Sequence, residues 1–259
     1  MKHTLPFSDL ANTAQSRTEL VSQLAASASP KTIAEIGVYK GDMAEPLLKA
    51  CPSIQQYFMI DPWRNLSDWN KPANREDDTF EAIFQQTMAR TAFAGDKRKV
   101  LRGRTTEVID QIADQSLDLV YIDGDHTLKG ITTDLLRILP KMKPDGLIIG
   151  DDLFPTIWQH NLRYEPTMVF PFAIHFAEGI NKKIYLLPFN QFAIQLDTAP
   201  FSLENLSGLD YSETEVLPQV SRMVDDAVLH AGMKSRLIRK FPGLYRVYHS
   251  MTSVLRGTK

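Results

Sequence analysis

Between Lys31 and about Leu196, short β-branched apolar runs alternate with longer segments whose apolar residues recur at helical spacing. That is the pattern of a parallel sheet covered by helices on both faces. The runs Thr32–Ile36, Tyr57–Ile60, Lys99–Arg102, Leu117–Ile122 and Gly146–Ile149 predict strands. Right-handed crossovers set their carboxyl ends along one edge. Lys183–Leu187 and Gln191–Gln195, separated only by Pro188-Phe189-Asn190, read as an antiparallel hairpin that ends the sheet. Helical patterns cover Glu19–Ala26, Asp42–Ala50, Asp78–Thr91, Thr106–Ala113, Thr127–Leu139 and Pro166–Glu178, and Asp42 and Glu45 have the spacing of a capping box. The expected fold is α/β: a doubly wound, seven-stranded sheet, mostly parallel, with a C-terminal antiparallel hairpin.

Residues 1–30 read as a helical or irregular N-terminal extension, 31–200 as the sheet domain and 201–259 as a basic, helical C-terminal extension. In that last stretch Lys234, Arg236, Arg239, Lys240, Arg246, Arg256 and Lys259 accompany apolar residues at helical spacing. Such a segment packs on its own domain or on a second subunit, or touches an anionic membrane or a partner.

With 259 residues, 43% of them hydrophobic, the chain can bury a sizeable core. Its net charge of −2 lacks the basic balance of a dedicated nucleic-acid binder, so no nucleic-acid partner is expected. The single cysteine, Cys51, excludes an internal disulfide framework and any multi-cysteine zinc site. No run approaches the ~20 apolar residues of a membrane span. The reading is a cytoplasmic protein acting on a small molecule, with a homo-oligomer left open.

The chemistry concentrates where apolar runs stop on polar residues. Leu119-Val120-Tyr121-Ile122 ends on Asp123-Gly124-Asp125-His126, and Leu147-Ile148-Ile149 on Gly150-Asp151-Asp152. In a parallel sheet both ends open on one crevice. The first strand leads into Glu35-Ile36-Gly37-Val38-Tyr39-Lys40-Gly41, where Gly37 and Gly41 allow a close backbone approach to a ligand. The spacing is neither that of the dinucleotide fingerprint nor that of a phosphate-binding loop. Glu35 repels phosphates but suits an amino group or another cation. Asp61, at the end of the second strand, stands where doubly wound folds hold ribose hydroxyls. After it, Pro62 to Pro72 is a long loop with two tryptophans, Trp63 and Trp69, either a lid or pocket wall or a loop anchored by its own aromatics. Trp158, His160 and Tyr164 are further candidates for that wall, whereas Phe170 and Phe172 read as core.

Glu35-Ile36-Gly37 with Gly41, the strand-end Asp61 and Asp118 to His126 together resemble class I S-adenosylmethionine-dependent methyltransferases. Within them the likeness is to small-molecule O-methyltransferases of the macrolide-sugar and cephamycin-pathway type. The resemblance spans about Thr32 to Leu196 and implies a Rossmann-like sheet and S-adenosylmethionine as cofactor. By that resemblance Glu35 and Gly37 contact its methionine end, Asp61 its ribose and Gly103 and Thr105 its adenine, with Gly41 and Asp123 beside them. The metal-dependent relatives place one acidic ligand after the fourth strand and two adjacent ones after the fifth. Asp123, Asp151 and Asp152 match that pattern, and Mg2+ or a similar divalent cation is implied.

Moving a methyl group from a sulfonium to an oxygen is a displacement in which the acceptor hydroxyl must shed its proton. A carboxylate-held dication lowers the hydroxyl pKa while a base takes the proton. By the resemblance His126 is that base; it also reads as a helix-cap histidine lining the pocket. Asp125 orients His126, caps the next helix or serves as an alternative ligand. The expected activity is methyl transfer to a hydroxyl of a small molecule, a sugar or natural-product intermediate. Two alternatives stand: a metal-dependent glycosyltransferase using the D-x-D of Asp123 to Asp125, and a nonenzymatic ligand-binding protein of the same fold.

Overall fold

The computed structural model describes residues 5–160, 163–212, 216 and 218–221. Met1–Thr214 form one compact unit and Glu215–Lys259 a second. The basic residues Lys234 to Lys259 lie outside the described residues. Five parallel strands, β1 (Thr32–Ile36), β2 (Gln56–Asp61), β3 (Arg98–Arg102), β4 (Leu117–Ile122) and β5 (Met142–Gly150), occupy the expected places. The hairpin β6 (Lys183–Leu187) and β7 (Gln191–Gln195) follows, with β7 antiparallel to β5. An eighth strand, β8 (Ser202–Asn205), pairs parallel with β6. The sheet order is β3-β2-β1-β4-β5-β7-β6-β8, one strand more than the patterning predicted. β8 is mostly exposed and has no buried alternation for periodicity to detect.

Period-two alternation divides the core. Ala34, Ile36, Val120, Ile122 and Ile148 pack under α6 (Leu128–Ile138) and α7 (Val169–Gly179). Ile33, Leu119, Tyr121 and Ile149 pack on the opposite face, under α2 (Arg17–Ala28) and α3 (Ala44–Ala50). α2 is anchored by Leu20, Val21 and Leu24, all fully buried, each such side chain contributing roughly 1.5–3 kcal/mol. Its start is capped: Ser16 Oγ accepts the Glu19 amide, and the Glu19 carboxylate reaches back to the Gln15 amide, one residue before the cap.

The other elements are α1 (Phe7–Thr13), α4 (Asp77–Arg90) and α5 (Thr105–Val108). Two local expectations are corrected. Asp42 caps nothing: α3 starts two residues later, after Met43, while Asp42 and Glu45 both pair with Arg90 of α4. The helix expected over Thr106–Ala113 is a single α-turn continued by a 3₁₀ turn, Ile109–Gln111.

Candidate active site

The sheet order reverses between β1 and β4, so their carboxyl ends diverge and open a crevice. The chain beyond each strand continues the ladder: Gly37 N donates to Ile60 O, Asp123 N to Ile36 O and Asp151 N to Ile122 O, at 2.8–2.9 Å. Above these ends lies a cavity of about 740 Å³. Of the residues singled out from the sequence, Gly37, Asp61, Gly103, Thr105, Asp123, His126 and Asp152 line it. Glu35, Gly41 and Asp151 are not among its walls.

Glu35 shares the parity of Ile33 and faces the α2 and α3 side, where its carboxyl, only 1% exposed, accepts the Tyr57 hydroxyl at 2.5 Å. Burial pushes the Glu35 carboxyl up to about 8. A carboxyl raised from its ordinary 4.5 to about 8 takes up a proton on folding. The stability this proton supplies is complete below pH 4.5 and is lost as pH rises through 8. Glu35→Gln, which keeps an acceptor for Tyr57, should therefore melt above the parent at pH 8 and level with it at pH 4.5. Calorimetric melting at the two pH values checks this; an equal offset at both would refute it.

Asp61 is also buried, and burial raises its carboxyl to about 6 against the pull of two backbone amides. Oδ2 accepts Tyr39 N at 2.8 Å and Oδ1 accepts Trp63 N at 2.7 Å. Both donors have positive φ, 47° and 40°, so Asp61 holds two strained turns while lining the cavity. Trp63 itself is core, fully buried, with its indole donating to Tyr39 O.

Two cations of the chain meet the strand-end acids. Nη1 of Arg17, the first residue of α2, bonds Asp151 Oδ2 and lies 3.3 Å from Asp123 Oδ2. Asp151 Oδ1 accepts the Gln191 amide and Asp152 N, so the chain's own donors reach both of its oxygens. His126 Nδ1 pairs with Asp152 Oδ2. His126 Nε2 is buried 3.3 Å from Asp123 Oδ1 without the geometry of a hydrogen bond. Burial works against the imidazolium, but Asp152 and Asp123 outweigh it and hold the ring protonated well above the ordinary histidine range. Of the three acids expected as metal ligands, Asp151 is shared with Arg17 and Asp152 with His126. Among the described residues no three His, Cys, Asp or Glu side chains converge as a metal's ligands would.

Asp125, ambiguous in the sequence, is a fastener. Its Oδ1 accepts the Trp69 indole at 2.9 Å and Thr127 N at 3.0 Å, and its Oδ2 accepts the Thr127 hydroxyl. It thereby ties the 62–72 loop to the start of α6. Across the cavity mouth the buried Lys71 donates to Glu165 O at 2.7 Å. Trp69, Lys71, His160 and Glu165 wall the cavity, and Phe170 is core.

Three residues escaped the sequence reading. Asp134 lines the cavity, accepts the Thr105 hydroxyl at 2.6 Å and is raised by burial to about 7. Its signal was a carboxylate inside the buried stripe Ile131, Leu135, Ile138 of α6. Lys71 was masked by its loop. Arg17 lay in a segment read only as an extension, although Ser16-Arg17-Thr18-Glu19 has the spacing of a helix start.

Residues 34–153 match the sequence profile of a family described as a methyltransferase domain. Over those 120 residues the chain is similar to a methyltransferase domain. The match runs from inside β1 to just past β5 and takes in every strand end described above. The architecture of the sheet and its helices is also that of two solved proteins. One is the O-methyltransferase TomG of Streptomyces achromogenes, involved in tomaymycin synthesis and solved with SAM. It is 16% identical, with a TM-score of 0.50, over 75% of this chain and 91% of that one. The other is an O-methyltransferase of Bacillus cereus solved with SAH, 17% identical, with a TM-score of 0.51, over 73% and 86%. At such identities the likeness is one of fold. A 72-residue stretch is 31% identical to the uncharacterized protein y4gI of Sinorhizobium fredii (strain NBRC 101917 / NGR234), covering 28% of this chain and 8% of that relative's length.

Proposed function

We propose that the chain is an S-adenosylmethionine-dependent O-methyltransferase acting on a hydroxyl of a small molecule, with His126 as the base. The observation that carries this reading is the imidazole in the cavity wall: Asp152 holds Nδ1, and the buried Nε2 has no hydrogen-bond partner of its own. A buried polar atom without a partner is rare and calls for one, and an acceptor hydroxyl supplies it.

Bound S-adenosylmethionine supplies an electrophilic methyl group on a sulfonium. The residues present fit such a cofactor. Asp61 offers second lone pairs to ribose hydroxyls, and Gly103, Thr105 and Asp134 form a wall beside it. Asp123, at the rim between Gly37 and His126, carries negative charge toward a cationic ligand. Asp152 fixes the tautomer, so the acceptor's proton goes to His126 Nε2. A cavity of about 740 Å³ falls in the range of ligand sites that seat a cofactor and a modest acceptor. Among the described residues no helix is long and apolar enough to cross a membrane, which agrees with a cytoplasmic small-molecule enzyme. The D-x-D alternative finds no support, because Asp125 is committed to Trp69 and Thr127.

The test is transfer of an isotope-labelled methyl group to sugars, phenols and polyketide-like alcohols, with S-adenosylmethionine binding measured in parallel. Binding without transfer to any hydroxyl would overturn the reading. Asp61→Asn should weaken cofactor affinity roughly 10–100-fold, the equivalent of ~1.5–3 kcal/mol for a hydrogen bond to a charged group. It should leave turnover of bound cofactor largely intact. The parent's affinity should itself fall as pH drops through about 6, where the Asp61 carboxyl gains its proton. Titration calorimetry from pH 5 to 8 checks both, and unchanged affinity would remove Asp61 from the ribose site.

A further inference from the structure

We propose that Arg17 is the resident cation of this site, its guanidinium standing between Asp123 and Asp151 where a divalent ion would bind, so that the enzyme works without a metal. The inference rests on the methyltransferase reading for its chemistry, but its physical content, which cation the acids hold, stands apart from that reading.

Arg17 precedes Leu20 and Val21 by three and four residues, so it shares the face of α2 that packs on the sheet. Asp123 and Asp151 continue, past the strand ends, the parity of Tyr121 and Ile149, which pack on that same side. The meeting of arginine and acids is therefore dictated by helix spacing and strand alternation together. It also runs against local preference. A cation in the first turn sits at the positive end of the helix dipole, a placement unfavourable by ~0.3–1 kcal/mol, and here two carboxylates offset it. Asp151 has Arg17 and the Gln191 amide on its two oxygens, with Asp152 N sharing the second. Its side chain is only 5% exposed. A dication entering this place would have to displace a guanidinium that cannot lose its proton. Most of the charge is offset without it: three carboxylates, Asp123, Asp151 and Asp152, face two cations, Arg17 and His126. A guanidinium orders these acids by directed hydrogen bonds but is no Lewis acid, which leaves the acceptor's proton to His126.

The decisive measurement is Mn2+ uptake by the full chain, followed by loss of the free-ion resonance signal, for the parent, Arg17→Met and Asp151→Asn. The parent should take up no ion at this site. Arg17→Met, with its acids uncompensated, should bind one equivalent roughly tenfold or more tightly than the parent. Methyl transfer by the parent should be equal in chelator and in Mg2+. Uptake by the parent that Asp151→Asn abolishes would overturn the proposal, as would a folded Arg17→Met that binds nothing. Should Arg17→Met fail to fold, the comparison of parent with Asp151→Asn decides alone: no uptake by either supports the proposal. Ion uptake is read without turnover, so a failure of the methyltransferase reading shows only in the transfer assay.

Discussion

Replacing His126 with alanine should lower turnover about 10²–10⁴-fold, the usual contribution of a positioned base, while cofactor affinity stays close to that of the parent. The ring contributes through Nε2 alone, because Nδ1 is engaged by Asp152. The same pairing sets the pH dependence. Asp152 and Asp123 hold the imidazolium protonated well above the ordinary histidine range, and a base has to be neutral to accept a proton. Turnover should therefore climb with pH on the alkaline side of neutrality. Asp152→Asn removes the largest stabilising charge on the imidazolium, so its profile should move to lower pH even as its maximum falls from loss of orientation. Rate–pH profiles of parent and both variants test this. An alanine variant as active as the parent, or a parent profile flat from pH 6 to 9, would take the histidine out of the mechanism.

Gly37→Ala should be the most damaging single methyl group in the domain. A Cβ at Gly37 would lie 1.9 Å from the carbonyl oxygen of Asp123 and 2.8 Å from the Cα of Gly124, and the residue's φ is +87°. Neither obstacle is a side chain that can swing away. Both belong to the end of β4, which is locked to β1 through the pair Ile36–Ile122 and the Asp123 N to Ile36 O bond. Relief requires parting the two strands at the crevice, which places the change among the exceptional substitutions costing more than ~4 kcal/mol. It would also displace Asp123 and with it the cavity wall. Gly41 is the internal control. Its φ is also positive, +73°, yet its nearest obstacle is a Thr87 methyl at 3.1 Å, so Gly41→Ala should cost only about 1 kcal/mol of left-handed strain. Urea unfolding midpoints compare the two, and equal losses would show that φ alone, not the close approach of strand ends, makes Gly37 necessary.

The frame was readable because buried strands advertise themselves. Leu117–Ile122 and Lys183–Leu187 are nearly continuous apolar runs, and a run of that kind has few other fates. β8 was missed for the converse reason, being a polar edge strand recruited by its neighbour. The capping box expected at Asp42 failed because Arg90, far along the chain, offered both Asp42 and Glu45 a stronger partner than a backbone amide. Asp125 had three plausible roles in the sequence, and the approach of Trp69 from another loop selected the turn and the loop fastening.

The sequence by itself determined which groups arrive at the catalytic edge. The apolar runs of β1, β4 and β5 end together on Gly37, Asp123, His126, Asp151 and Asp152, because parallel strands joined by right-handed crossovers open their carboxyl ends along one edge of the sheet. It could not determine what those acids hold. Three carboxylates after two strands suit a divalent ion, and spacing within 119–152 contains nothing against one. Only the packing of α2 brought in a guanidinium from more than a hundred residues upstream. The partner of a buried charge is chosen by what the whole fold places within hydrogen-bond reach, and that proximity is not encoded in any local stretch of the chain.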